Sequence, residues 1–239
     1  LGQLDSVVTG GVESCITFGL MTAFCRMGTV TTKWNHDPEH ASRPFNSDRD
    51  GFVLGEGSWI LMFEELESAQ RRGAHIYAEV CGYASTCDAY HRVQISPTGN
   101  DAARAMNLAI EEAGLTPGQI DCLNLHGTAT RINDRTESAA VRIAFGDLAQ
   151  KIPASSTKSM VGHPQGTSGA AGAVAALMGM KHNYVHPTIN LSHPDPECDL
   201  DYVPNTGREM RIDTVLCNCI AFGSKNSAIV FKRFEHPEV

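Results

Sequence analysis

Three short polar clusters in this chain could do chemistry: His126-Gly127-Thr128-Ala129-Thr130, the run from Ser155 to His163, and Phe222-Gly223. Each stands where an apolar run ends. His163 immediately precedes a glycine- and alanine-rich stretch, 166–177. The positive end of a helix there would disfavour a protonated imidazole and keep it a neutral donor. Such a donor suits an oxygen that gains negative charge during a reaction. Taken singly, each cluster has a plainer explanation. A histidine at a strand end is often only a hydrogen-bonded structural residue, and grouped serines and threonines usually make turns or caps. Asp134 could be a helix N-cap, Glu137 a solvent-exposed ion-pair partner, Phe222 a core aromatic in a hairpin and Arg43 an ordinary solvated surface residue. The combination is what discriminates.

The elements that must position these residues alternate between short apolar runs and helical patterns, as in an α/β sandwich or doubly wound sheet. Val7-Val8-Thr9 reads as a buried strand, followed by a helix from Glu13 to about Met27. Residues 30–50 are polar and read as a long loop, which in an ordered protein is usually functional. Gly57–Phe63 is strand-like, Glu64–Arg72 helical and Ile76–Cys81 strand-like again. Ala102–Ala113 is an amphipathic helix. Asp121–Leu125 is a strand that delivers His126-Gly127-Thr128 at its C-terminal edge, where open α/β sheets place their ligands. Asn133-Asp134 is expected to cap a helix reaching Phe145, and Ile152–Ser156 to be a short strand entering Thr157-Lys158-Ser159. The small side chains of 166–177 predict a buried central helix that approaches its neighbours closely. Leu216–Ile220 and Ser227–Phe231 read as two strands of a hairpin closed by Ala221–Asn226.

At 239 residues and 42% hydrophobic, the chain can bury the core of one large domain or two small ones. A net charge of -8 argues against a general nucleic-acid binder. There is no run of about 18 apolar residues, so no membrane span is expected. The eight cysteines include no metal-knuckle spacing, no metal site is expected, and buried thiols acting as small hydrophobes are the expectation.

Several motifs together resemble the elongating β-ketoacyl-acyl carrier protein synthases, relatives of the thiolases. They are Ala41-Ser42-Arg43-Pro44-Phe45, Arg49 through Gly57, His126-Gly127-Thr128, Ser155 through His163, Pro187-Thr188-Ile189-Asn190-Leu191 and Cys198 through Pro204. The resemblance covers essentially the whole chain. It implies a thiolase-like layered α/β/α/β/α sandwich, of which 1–239 would be the C-terminal part: about 1–90 completing the first half and about 91–239 forming the second. It implies that His126 and His163 are catalytic and hydrogen-bond a malonyl thioester carbonyl while carbon dioxide leaves. Lys158 would organise that site, with Glu137 as a carboxylate associated with the lysine and Asp134 as its acidic neighbour. Thr128 and Thr130 would hold the pantetheine arm. Phe222 would complete an oxyanion hole through its backbone N–H and gate an acyl pocket with its ring, and Arg43 would contact an acidic acyl carrier protein.

By the same resemblance no cofactor is needed beyond the phosphopantetheine that carries the substrates. A dimer of ketosynthase units and a cytoplasmic location (or the stroma or matrix of an organelle) are implied. The family's nucleophilic cysteine lies upstream of the strand that Val7-Val8-Thr9 matches, and none of the eight cysteines takes its place. A cysteine-bearing segment or partner chain is therefore expected, and a sheet face here should lack its cover. Alternatives are a noncatalytic subunit like the family's chain-length factors, or a malonyl-carrier decarboxylase. The family's Gly-Phe-Gly-Gly-Thr-Asn stands here as Ala221-Phe222-Gly223-Ser224-Lys225-Asn226, and Gly172 falls where many members carry glutamate.

Overall fold

The computed structural model describes residues 4–235. In chain order these form β1 (Ser6–Glu13), α1 (Phe18–Met27), β2 (Gly57–Glu64), α2 (Leu66–Arg71), β3 (Glu79–Cys87), α3 (Asn100–Glu112), β4 (Cys122–Asn124) and α4 (Arg131–Phe145). Then follow β5 (Ala154–Ser155), α5 (Lys158–Val161), α6 (Ser168–His182), β6 (Tyr184–Val185), β7 (Arg208–Glu209), β8 (Thr214–Ala221) and β9 (Lys225–Lys232).

The main sheet is mixed, in the order β3-β9-β8-β4-β5. Its β3–β9 and β9–β8 pairs are antiparallel, and its β8–β4 and β4–β5 pairs are parallel. Period-two alternation gives this sheet two apolar faces. Leu216, Ile220, Ala228 and Val230 point to one side, into a core with Met106 and Ala109 of α3 and Val141 of α4. Val215, Cys217 and Phe231 point to the other side, against Ala173, Ala176, Leu177 and Met180 of α6. The far side of α6 meets the separate two-stranded β1–β2 ladder, with Leu61 packed against the α6 core. The order of layers is helices, sheet, helix, sheet, and α6 is the buried central helix expected of its glycines and alanines.

Several expectations are corrected. β1 is a strand but not a buried one: Val8 is 69% exposed, and Val12, Ile60 and Met62 lie with it on one bare face of the ladder, as the register Val8↔Met62 requires. The apolar composition answered to a covering layer that these residues do not supply. β1 runs on to Glu13, so α1 starts only at Phe18, where Thr17 caps it by accepting the Leu20 N–H. β3 begins at Glu79 rather than Ile76, and it pairs along its length with β9. α4 is capped by Thr130, whose hydroxyl accepts the Asn133 N–H; Asp134 is turned inward instead. Of the cysteines, Cys15, Cys122, Cys198 and Cys217 are buried, whereas Cys25 and Cys87 are exposed. No helix among the described residues is long and apolar enough to cross a membrane.

The long loop before β2 has little regular structure of its own, yet Phe45, Asn46 and Arg49 in it are fully buried. Polar contacts order it. The Arg49 guanidinium bridges Asp134 at 3.1 Å and Asp195 at 2.8 Å, and donates to the carbonyls of Asn46, Thr130 and Arg131. Burial works against the Arg49 charge, but Asp134 and Asp195 outweigh it and hold its pKa above the ordinary value.

Candidate active site

The parallel register Leu123↔Ala154 and Asn124↔Ser155 sets the C-terminal ends of β4 and β5 side by side. His126 leaves the first and Lys158 the second, so these two sequence clusters meet at the sheet edge where ligands bind. The turn after β4 must be tight. Gly127 has φ +38°, and a Cβ there would lie 2.5 Å from the Ser156 Cβ, so only glycine fits. Ser156 Oγ donates to the Gly127 carbonyl at 2.8 Å and ties the two loops together.

Glu137, nearly two turns inside α4, reaches back beneath this loop. Its carboxylate accepts the backbone N–H of His126 at 2.7 Å, that of Gly127 at 2.8 Å and the Asn218 side-chain amide at 2.6 Å. It is fully buried and acts on Lys158 only through space, so the exposed ion-pair explanation is excluded. Asp134 accepts the Phe45 N–H at 2.8 Å and pairs with Arg49, which locks the long loop onto α4. The same loop supports the lysine, because Ser42 Oγ donates to the Lys158 carbonyl at 2.6 Å.

Lys158 Nζ lies 3.3 Å from His126 Nδ1. An ammonium can only donate there, so Nδ1 carries no proton and Nε2 does. His163 joins the site from the other side. Its backbone N–H donates to the Val53 carbonyl at 2.7 Å, and its carbonyl accepts the Gly55 N–H at 3.1 Å. Its ring packs edge-on against Phe52, and its Nδ1 sits 3.0 Å from Ser168 Oγ. The two imidazoles stand edge to face, with centroids 5.3 Å apart. Burial pushes both histidines well below the ordinary imidazole pKa, and the Lys158 charge pushes them further. Burial also lowers the pKa of Lys158, opposed by Glu137 and Asp134 among others.

An open cavity of about 770 Å³ covers the pair. Thr128, Thr130, Arg131 and Phe222 line it with the histidines. The hydroxyls of Thr128 and Thr130 are 2.9 Å apart, and Phe222, at 45% exposure, lines the cavity from the β8–β9 turn. The arrangement can present two neutral N–H donors, held by buried partners, to one polar group in a partly dry site. Arg43 does not belong to it. Only 4% exposed, its guanidinium lies over the Trp34 ring at 3.8 Å and pairs with Asp48 at 2.8 Å.

Sequence reading missed Arg49, Asp195, Ser168 and Asn218 as supports of this site. A charged residue inside an otherwise buried motif, as at Arg49, was the available signal; the others became visible only once distant segments met. Nor is any of the buried thiols poised as a thiolate. Burial pushes Cys198 up to about 11, Cys122 up to about 12 and Cys217 well above its ordinary value.

Two family models match the chain: beta-ketoacyl synthase, N-terminal domain, over residues 1–69, and beta-ketoacyl synthase, C-terminal domain, over residues 77–192. The 3-oxoacyl-[acyl-carrier-protein] synthase 2 of Synechocystis sp. is 48% identical over 234 residues, which are 98% of this chain and 56% of the relative. That of Staphylococcus aureus is 45% identical over the same shares. The chain thus spans little more than half the length of the curated relatives it matches. Among solved structures, a type II PKS ketosynthase in complex with its acyl-carrier protein and bound to the hexaketide superposes with a TM-score of 0.96 at 38% identity, over 98% of this chain and 57% of that one. A beta-ketoacyl synthase from Burkholderia phymatum superposes at 0.92 with 38% identity, over 98% and 56%. The ishigamide ketosynthase/chain length factor superposes at 0.90 with 37% identity, over 98% and 55%.

Proposed function

The chain belongs to the β-ketoacyl synthase family, with the thiolase-like fold, and from that premise we propose that it supplies the decarboxylating half of a ketosynthase active site. The supporting observation is the pair of buried, neutral histidines opening into one cavity. A malonyl thioester on the phosphopantetheine of an acyl carrier protein enters past Thr128 and Thr130. Nε2–H of His126 and of His163 donates to its thioester oxygen. The bond between Cα and the carboxylate breaks, carbon dioxide leaves, and the electron pair moves through Cα to an enolate oxygen held by both donors. Donors fixed in advance and shielded from water stabilise that charge best.

Condensation follows when the enolate carbon attacks an acyl thioester and the thiolate leaves. The acyl group sits on a cysteine supplied by a segment or partner chain outside these 239 residues, with the Phe222 backbone N–H serving the second oxyanion. The complete unit works as a dimer in the cytoplasm or an equivalent compartment, without a further cofactor. Retention of His126, Lys158 and His163 together favours this over a noncatalytic subunit. Mixing malonyl- and acyl-carrier protein with the complete protein and recording the thioester products by mass spectrometry tests it: a 3-oxoacyl product two carbons longer than the acyl donor is expected, and carbon dioxide without that product would point to a decarboxylase alone.

A further inference from the structure

His186, which follows β6, is a half-buried histidine outside the lining of the cavity, and three polar side chains converge on it. Its Nε2 lies 3.2 Å from Asn124 Nδ2, 3.2 Å from Ser155 Oγ and 3.4 Å from Thr157 Oγ1. Asn124 Nδ2 also donates to Thr157 Oγ1 at 2.8 Å. An amide nitrogen only donates, so Nε2 is the accepting nitrogen and the ring proton sits on Nδ1, 3.3 Å from the Pro187 carbonyl. Burial lowers the His186 pKa, with the Pro187 carbonyl opposing it, and the ring stays a neutral acceptor. Asn124 and Ser155 are the paired last residues of β4 and β5, and Thr157 directly precedes Lys158. One imidazole thus ties together the two strand ends that carry His126 and Lys158. The α6 side of this cluster is tight: a Cβ at Gly172 would lie 2.6 Å from Asn124 Oδ1, so glycine there lets the amide keep its place.

The residues after His186 continue the hold. Thr188 Oγ1 accepts the Ser156 N–H at 3.1 Å, while Ser159 Oγ accepts the Ile189 N–H at 3.1 Å and donates to the Ser156 carbonyl at 2.9 Å. Asn190 Nδ2 donates at 3.0 Å to the carbonyl of Ser42, the residue whose hydroxyl supports the Lys158 carbonyl. Lys158 itself makes no ion pair among the described residues, and Glu137 and Asp134 act on it only through space. Its Nζ is therefore placed by its backbone, which the 186–190 strap fixes on both sides. We propose that His186 is a positioning residue for Lys158: by accepting from Asn124, Ser155 and Thr157 it fixes the end of β5 against β4 and so keeps Nζ at His126 Nδ1. The role in turnover rests on the ketosynthase reading of the site; the placement of the lysine does not.

The test compares, in the complete protein, His186→Leu, which removes the acceptor, with His186→Gln, whose side-chain oxygen reaches the place of Nε2. His126 has Lys158, His163 and, beneath its backbone, Glu137 as titratable neighbours, so withdrawing the lysine's charge moves its titration. In His186→Leu the His126 pKa should rise, and its ring titration followed by NMR should shift to higher pH, with the acid limb of decarboxylation shifting alongside. The kcat should fall by up to about a hundredfold with KM little changed, as for a misplaced group that does not bind the substrate. His186→Gln is expected to restore kcat and both titrations. In a Lys158→Met background, His186→Leu is expected to move neither any further. Gly172→Ala, which pushes the Asn124 amide off an intact His186, should give the same shift in smaller measure and decides the matter if His186→Leu does not fold. An unmoved His126 titration in the folded variants, or a glutamine variant as impaired as the leucine one, overturns the proposal. A shifted titration in a protein that releases no carbon dioxide from a malonyl thioester keeps the positioning role and sinks the ketosynthase reading instead.

Discussion

Lys158 Nζ and His126 Nδ1 face each other at 3.3 Å, both side chains buried, with the carboxylate of Glu137 holding the histidine's own backbone N–H from below. The lysine therefore decides which imidazole nitrogen carries the proton, and its charge adds to the burial that keeps the ring neutral.

Replacing Lys158 with methionine removes that charge while leaving the burial that is the larger cause of the depressed His126 pKa. The histidine pKa should then rise toward, but not reach, its ordinary value. Since the neutral ring is the active donor, decarboxylation is present above this pKa and lost as pH falls through it. The acid limb of the pH–rate profile is expected to move to higher pH in the variant; a limb that stays in place would show that Lys158 does not act on His126.

Glu137→Gln turns an acceptor of three hydrogen bonds into a group with one amide that cannot accept. At least one of the His126, Gly127 and Asn218 donors loses its partner, at a cost of about 1–3 kcal/mol. Chemical denaturation is expected to show that loss. The rate should fall with it, because the turn carrying His126 is no longer fixed.

Arg49→Met leaves Asp134 and Asp195 buried beside each other without their shared cation. Removing one partner of a buried ion pair costs about 3–5 kcal/mol, so the melting temperature should drop by roughly 10 °C. A loss confined to a degree or two would mean that the network is not desolvated as the structure has it.

The histidines also tie stability to pH. Both have folded-state pKa values well below the ordinary 6.5, so the unfolded chain binds their protons first. Their contribution is complete above the unfolded value and is lost as pH falls below it, at up to about 1.4 kcal/mol per pH unit for each ring. Between pH 6.5 and about pH 5, the His126→Gln, His163→Gln double variant should lose stability less steeply than the native protein. Equal slopes would mean that the rings are already protonated in the fold.

Much of this site was legible in the sequence because its motifs are local. His126-Gly127-Thr128 and the run to His163 sit at strand ends, and a turn that admits only glycine at 127 leaves its mark on the chain. The hairpin of β8 and β9 was likewise visible from two apolar runs around a glycine. Supports brought in from a distance were not: Asn218 reaches Glu137 across 81 positions, and Arg49 reaches Asp195 across 146. Burial misled at the edges. β1 has the composition of a covered strand but a bare face, and Arg43 has the type of a surface residue but a buried place against Trp34.

Release of carbon dioxide from a malonyl-pantetheine thioester, compared among the native protein, His126→Ala and His163→Ala at equal folded fraction, is the most direct test of the paired-donor site. Each variant is expected to lose about two to three orders of magnitude in rate, with substrate binding much less affected. Native rates in either variant would contradict the account and make that histidine a structural residue of the sheet edge.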